Sequence, residues 1–299
     1  MTDTPTVRVE THTITTRDQT LIHACVYRPS TPVDRVAIIG AAMGVRQDFY
    51  KTYATYLAEQ GFVAVTFDYR GIGLSRGEGA LRDHDATLLD WGSQDLQAVI
   101  AWVRSQHPAH EIVVVGHSIS GQLLGLAPDV DHVQAFLGIS AQNSHWNLWG
   151  AGMKLPLLGL WYGALPALTA LMGYFPAGLL GLGEPQPSGI ARDWARTARR
   201  RYGLLDVYGG EDDNHYAEFH GAMLLYSFRD DRLAPKRTVA DLPALYPNAC
   251  AITHQHIDPQ DKGVAAIGHM GFFKPDMRET LWRESTQWLL NPLPDAEPA

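Results

Sequence analysis

The chain reads as an α/β protein built on a largely parallel sheet with helices on both faces. Three short runs, Arg35 to Gly40 (RVAIIG), Phe62 to Asp68 (FVAVTFD) and Glu111 to Gly116 (EIVVVG), are apolar almost throughout. That is the pattern of strands covered on both sides. Between them lie segments with helical spacing, Phe49 to Gln60 through Tyr50, Tyr53, Tyr56 and Leu57, and Leu88 to Gln106 through Leu89, Ile100, Trp102 and Val103. Strand–helix–strand alternation of this kind calls for a parallel sheet with its crossovers packed on the faces.

The remaining elements follow in order. Val7 to Thr16 and Leu21 to Tyr27 alternate apolar and polar residues, as half-buried antiparallel strands do. Gly61 stops the first helix, Tyr69 to Gly79 is a glycine-punctuated turn, and Pro108 lies just beyond the second helix. Ala135 to Ile139 is a further strand. After Ser140 the pattern breaks into a stretch rich in Trp, Gly, Pro and Leu, followed by an Arg-rich helical segment at Ala191 to Arg201. Residues 141–218 therefore read as a cap inserted over the sheet edge, with 1–140 and 219–299 forming the core. The alternation returns with a strand at Ala222 to Phe228, a helix around Val239 to Tyr246, a strand at Ala249 to Gln255 and a last helix from about Pro275 to Leu290. The tail Pro292 to Ala299 is rich in proline and acid and is expected to be disordered. No internal repeat is present.

Composition narrows the partners. The 299 residues are 45% hydrophobic and 19% charged, with a net charge of −8 and no basic tail, which argues against nucleic acid. Cys25 and Cys250 each fall in an expected strand and read as two buried, reduced thiols. Met1 to Arg8 lacks the apolar run of a signal peptide, so a cytoplasmic location is the default. Leu155 to Gly183 carries no charge and is long enough to cross a bilayer, but Pro156, Pro166 and Pro176 interrupt it. Short broken helices without stable membrane insertion are expected there. The oligomeric state is left open, a homo-oligomer included.

The strongest chemical signal is VVVGHSISGQLLGL, residues 113–126. A serine at the junction of a β-branched strand and an apolar helical segment, with small residues two positions to either side, suits a strained nucleophile turn. Gly116 meets the first requirement for Ser118 and Ser120 stands where glycine is usual. Taking Ser120 as nucleophile would put Gln122 at the second small position, so the spacing selects Ser118. The ordinary alternative is a serine-rich helix cap without chemistry.

Such a serine needs a base, an acid that orients the base, and an oxyanion hole. Asp231, in YSFRDDRLAP, follows a strand and is favoured over its neighbour Asp230. His269, in AAIGHMGFF, lies between the last strand and the last helix with Gly268 and Gly271 at its sides. The backbone N–H of Ile119, next after the serine, is one oxyanion donor, and Met43 in the loop after RVAIIG is the other.

Together DYRGIGLS (Asp68 to Ser75), GHSIS, DDRLAP and GHMGFF resemble the α/β-hydrolase family over about residues 20–290, most closely a bacterial subgroup of serine hydrolases with a cap after the sixth strand. The resemblance implies the α/β-hydrolase fold: a mostly parallel eight-stranded sheet with helices on both faces and a helical cap insertion. It also carries the triad onto Ser118, Asp231 and His269. This chain departs from the pattern at Ser120 and at Ala41-Ala42, where many relatives have His-Gly.

Three other signals are weaker. His254, His256 and Asp258 have a metal-like spacing but fit better as a last strand and its turn, so no metal is expected. Gly71-Ile72-Gly73 lacks the third glycine of a dinucleotide site, and no cofactor is implied. Arg192, Arg196, Arg199, Arg200 and Arg201 read as a solvated helix face, the sharper alternative being a site for a carboxylate- or phosphate-bearing substrate. Trp146, Trp149, Trp161, Tyr162 and Tyr174 are expected to form the cap's own core over an apolar pocket. The function expected is hydrolysis of a carboxylic ester or thioester through an acyl-enzyme on Ser118, with an apolar or aromatic acyl substrate. An acyltransferase with the same triad, or a ligand-binding protein that has lost turnover, are the alternatives.

Overall fold

The structure is a computed structural model that describes residues 6–210 and 214–292; of the acidic tail, all but Pro292 lies outside them. The strands are β1 (Arg8–Thr15), β2 (Leu21–Arg28), β3 (Arg35–Gly40), β4 (Val63–Phe67), β5 (Glu111–His117), β6 (Val133–Ile139), a two-residue pair β7 (Tyr174–Phe175) and β8 (Gln186–Pro187), then β9 (Ala222–Phe228) and β10 (Ala251–Ile257). Eight of them form one sheet in the order β1-β2-β4-β3-β5-β6-β9-β10. The contacts β1–β2 and β2–β4 are antiparallel, and every other neighbour in the sheet is parallel. This is the α/β-hydrolase fold.

Side-chain pattern explains the order. The central strands β3 to β6 and β9 are buried at almost every position, because helices cover both faces. At the two edges exposure returns, and β1 accordingly alternates in polarity while β10 carries the polar run Thr253 to His256. Two helical segments flank the strands at the centre. One runs through Gln47–Tyr50 and Lys51–Glu59 and ends before Gly61, which has φ +96°. The other runs from Leu88 to Gln106 behind a capping box made by Thr87 and Asp90, with a π-helical stretch at Trp91–Leu96.

Residues between β6 and β9 build a second apolar cluster around Trp149, Leu157, Trp161, Leu165 and Phe175, separate from the core of the sheet. Here the sequence reading needs correction. Ala151–Met172 is one continuous helix, not several short ones. Its middle, Leu160–Ala164, is wound wider as a π-helix directly ahead of Pro166. That widening relieves the clash a proline ring makes with the carbonyl four residues back. Tyr162, 57% exposed, and Tyr174 also fail to join this cluster, while Trp146 only flanks it. The cysteines differ from expectation too: Cys25 is half-buried on β2, and Cys250 is exposed just before β10.

Candidate active site

β5 ends at His117, and Ser118 then takes φ +56°, a left-handed conformation that few non-glycine residues adopt. Its N–H donates to the Ile139 carbonyl at 3.1 Å, and the short helix Ser120–Leu123 leads away. A Cβ on Gly116 would lie 2.4 Å from the Phe136 ring, so nothing larger fits there. At the opposite side of the turn the Ser120 hydroxyl donates to the Ala41 carbonyl at 2.8 Å and lies 3.2 Å from the Tyr69 hydroxyl. Serine in place of glycine thus ties the turn to the loop after β3. The position that tolerates no side chain is the next one, where a Cβ on Gly121 would meet Ala141 and Leu242 at 2.8 Å.

Asp231 and His269 are brought together from the ends of β9 and the loop after β10. The imidazole Nδ1 lies 2.8 Å from Asp231 Oδ2. The same Oδ2 accepts from the Ser140 hydroxyl at 2.7 Å, and Oδ1 accepts the N–H groups of Leu233 (2.8 Å) and Ala234 (3.0 Å). Burial would raise this carboxyl, but the bonds from His269, Ala234 and Ser140 outweigh it and hold it below its ordinary value. An ionised Asp231 fixes the proton of His269 on Nδ1 and leaves Nε2 able to accept one. Asp230 does a different job: its Oδ2 accepts the N–H groups of Ile267 (2.8 Å) and Gly268 (3.0 Å), bracing the turn that carries His269.

Three contributors escaped the sequence reading. Ser140 directly follows β6 at φ +49°, and its hydroxyl reaches the Asp231 carboxylate. The signal was present, since LGIS ends an apolar strand in serine just as VVVGHS does. His117 and Tyr50 carried no such signal. Fully buried, His117 bonds through Nε2 to the His269 carbonyl and through Nδ1 to the Tyr50 hydroxyl, both at 2.9 Å. Tyr50 in turn accepts the Ala42 N–H at 2.9 Å. One chain of bonds therefore connects the loop after β3 to the histidine turn. Burial, together with the nearby His269, pushes the His117 ionisation down to about 3, so it is neutral and acts here as a donor to a carbonyl.

The Ala42 amide is thereby occupied, whereas the N–H groups of Met43 and Ile119 have no acceptor among the described residues. Met43, Ile119, Ser118 and His269 line one cavity of about 380 Å³. The segment between β6 and β9 contributes Trp149, Leu157, Trp161 and Trp194 to the same cavity, which makes it mostly apolar. Ser118 makes no hydrogen bond to His269 here; in unliganded sites such bonds are often long.

The other motifs have structural uses. His254 and His256 both reach the Ser227 hydroxyl at 2.8 Å. Among the described residues no group of three or more His, Cys, Asp or Glu is gathered for a metal. Gly71 and Gly73 have positive φ in a turn held by the Asp68 carboxylate, and a Cβ on Gly73 would lie 2.4 Å from it.

Residues 32–135 match the family Hydrolase_4, described as serine aminopeptidase S33. No curated protein matches the chain in sequence. Among solved structures it is similar to a hypothetical protein of Pseudomonas aeruginosa, 15% identical with a TM-score of 0.63 over 96% of this chain and 94% of that one. An esterase of Pyrococcus furiosus is 16% identical with a TM-score of 0.57, covering 95% and 91%. A protein of Xanthomonas campestris described as an α/β serine hydrolase without lid is 17% identical with a TM-score of 0.51, covering 97% of each chain.

Proposed function

We propose that this chain, which has the α/β-hydrolase fold, is a serine hydrolase that cleaves a carboxylic ester or thioester through an acyl-enzyme on Ser118. One observation carries the reading. A serine at positive φ and a histidine bonded to a buried carboxylate at 2.8 Å line one apolar cavity, beside two unused backbone donors. The matched family and an esterase of the same fold support the coarser part of it, a serine hydrolase.

In this mechanism Ser118 Oγ attacks the substrate carbonyl while His269 Nε2 takes its proton. Asp231 stabilises the imidazolium through Nδ1–H without taking the proton itself. The negative charge on the tetrahedral oxygen is met by the N–H groups of Met43 and Ile119, a type of donor worth about 10²–10³ in rate each. Collapse breaks the bond to the alcohol or thiol, which leaves with the proton from His269. Water, deprotonated by the same imidazole, then releases the acid and restores Ser118. The neutral state of His117 matters here, because a second imidazolium beside His269 would oppose the first. The tryptophan-lined side of the cavity suits an apolar or aromatic acyl group and keeps water away from the acyl-enzyme until the alcohol has left.

The test is intact-mass spectrometry after treatment with a fluorophosphonate, on wild type and Ser118→Ala together. One adduct on wild type and none on the variant is expected. A folded wild type that takes no adduct, or a Ser118→Ala protein that still does, overturns the assignment.

A further inference from the structure

The outward face of Ala151–Met172 is the wrong one for water. A surface helix normally turns charged and polar residues outward, whereas the exposed positions here include Leu155, Pro156, Tyr162, Ala167, Ala170 and Leu171. Leu155 is 77% and Leu171 84% exposed, and the following loop adds Leu179 at 78%. Of the helix's residues only Leu157, Trp161, Leu165 and Thr169 are buried, and its single charged residue, Lys154, donates to Asn147 at 2.7 Å. A contiguous apolar stripe of this length is a contact surface, not scattered exposure.

Its flank is cationic in a chain whose net charge is −8. Arg192, Arg196, Arg199 and Arg200 are exposed along and just after the neighbouring helix Ser188–Ala198. Arg199 stacks on Tyr162, 4.1 Å from its ring centroid, which sets a guanidinium directly against the apolar stripe. Arg192, Arg199 and Arg200 form no ion pair among the described residues. Arg196, Arg199 and Arg200 together line a surface cavity of about 320 Å³, with Asp206 on its wall. Anionic headgroups above an apolar layer match both features at once.

We propose that this face docks on the surface of an anionic lipid bilayer, the helix lying in the plane of the interface. Crossing is opposed by its other face, where Leu157, Trp161, Leu165 and Thr169 are buried and two of them line the Ser118 cavity. An apolar face with basic residues at its margin is the pattern of interfacial helices. The stripe also runs on through Leu179 and Leu180 to Gly181, Leu182 and Gly183, which line that cavity. Docking would therefore present the cavity to esters carried in the bilayer, a consequence that rests on the hydrolase reading while the docking itself does not.

The experiment is flotation of the whole chain with vesicles of phosphatidylcholine alone or mixed with phosphatidylserine, using Ser118→Ala so that no lipid is consumed. Flotation with the mixed vesicles is expected, and weak flotation with the neutral ones. At about 1 kcal/mol per basic residue, roughly fivefold, Arg192→Ala with Arg200→Ala should weaken binding about 25-fold. Leu155→Ser with Leu171→Ser and Leu179→Ser, none of which lines the Ser118 cavity, should abolish it while circular dichroism stays that of wild type. No flotation, flotation unchanged in the leucine variant, or a dimer by light scattering that the leucine variant dissolves would overturn docking. Flotation of Ser118→Ala, together with a folded wild type that takes no fluorophosphonate, would remove the hydrolase reading alone.

Discussion

Replacing Asp231 and Asp230 by asparagine, one at a time, separates an acid that orients the base from one that braces its loop. In Asp231→Asn the local bonds dictate how the new amide must sit. Leu233 and Ala234 donate to Oδ1 at 2.8 and 3.0 Å, so the amide oxygen stays there and the NH₂ group turns to His269. An amide N–H facing Nδ1 forces the imidazole proton onto Nε2, the nitrogen that accepts the serine proton in the proposed mechanism. Loss of the right tautomer costs about 10⁴ in turnover, or about 5.5 kcal/mol of transition-state stabilisation. Asp230→Asn keeps an oxygen for Ile267 and Gly268 and loses only charge assistance on two bonds. That amounts to about 1–2 kcal/mol of stability, a few degrees in Tm, and about tenfold or less in rate. Hydrolysis of a short p-nitrophenyl ester and the rate of fluorophosphonate labelling both read the difference, and thermal melts read the brace. Equal losses for the two variants, or a larger loss for Asp230→Asn, would refute the assignment of roles.

Other predictions follow from the same geometry. Gly116→Ala puts a methyl 2.4 Å from Phe136 in a fully packed strand, so the soluble yield and Tm should fall sharply, by several kcal/mol of stability. Ser120→Ala frees the Ala41 carbonyl and should cost about 1–2 kcal/mol in chemical denaturation, while the fluorophosphonate still lands on Ser118. His117 ionises near 3 in the folded protein against ~6.5 in the unfolded chain, so the unfolded state gains a proton first as pH falls. Stability is therefore complete above pH ~6.5 and is lost progressively below it, by about 2 kcal/mol at pH ~5. Urea titrations of wild type and His117→Gln at both pH values check this: the variant, though weaker overall, should lose less on acidification, and an equal loss would exclude His117 as the source.

The periodicity of apolar residues was enough to place the central strands, because a strand buried on both faces must be apolar at nearly every position, whereas the edge strand expected at Ala249 to Gln255 lies two residues later at Ala251–Ile257. Side-chain volume beside a tight turn is likewise a local property, and it is what favours Ser118 over Ser120 as the proposed nucleophile. The chemistry around Asp231 was only half legible. DDRLAP offered two neighbouring carboxylates, and which of them reaches His269 depends on how β9 and the loop after β10 approach each other in space. Likewise Ser140, Tyr50 and His117 act through bonds that span 91, 67 and 152 residues of chain, which no local pattern records.

The segment after β6 shows the same division. Its apolar composition and its prolines are plain in the sequence, but the prolines suggested breaks that a widened turn avoids. Nor could spacing alone say which face of Ala151–Met172 is covered, because both faces are apolar. What the sequence determined by itself was the sheet, the tight turn at Ser118 and the kinds of residue available for chemistry. Only the tertiary structure decided which carboxylate meets the histidine, which amides remain free, and that an apolar helix face is left outside, since each depends on distances between segments far apart in the chain.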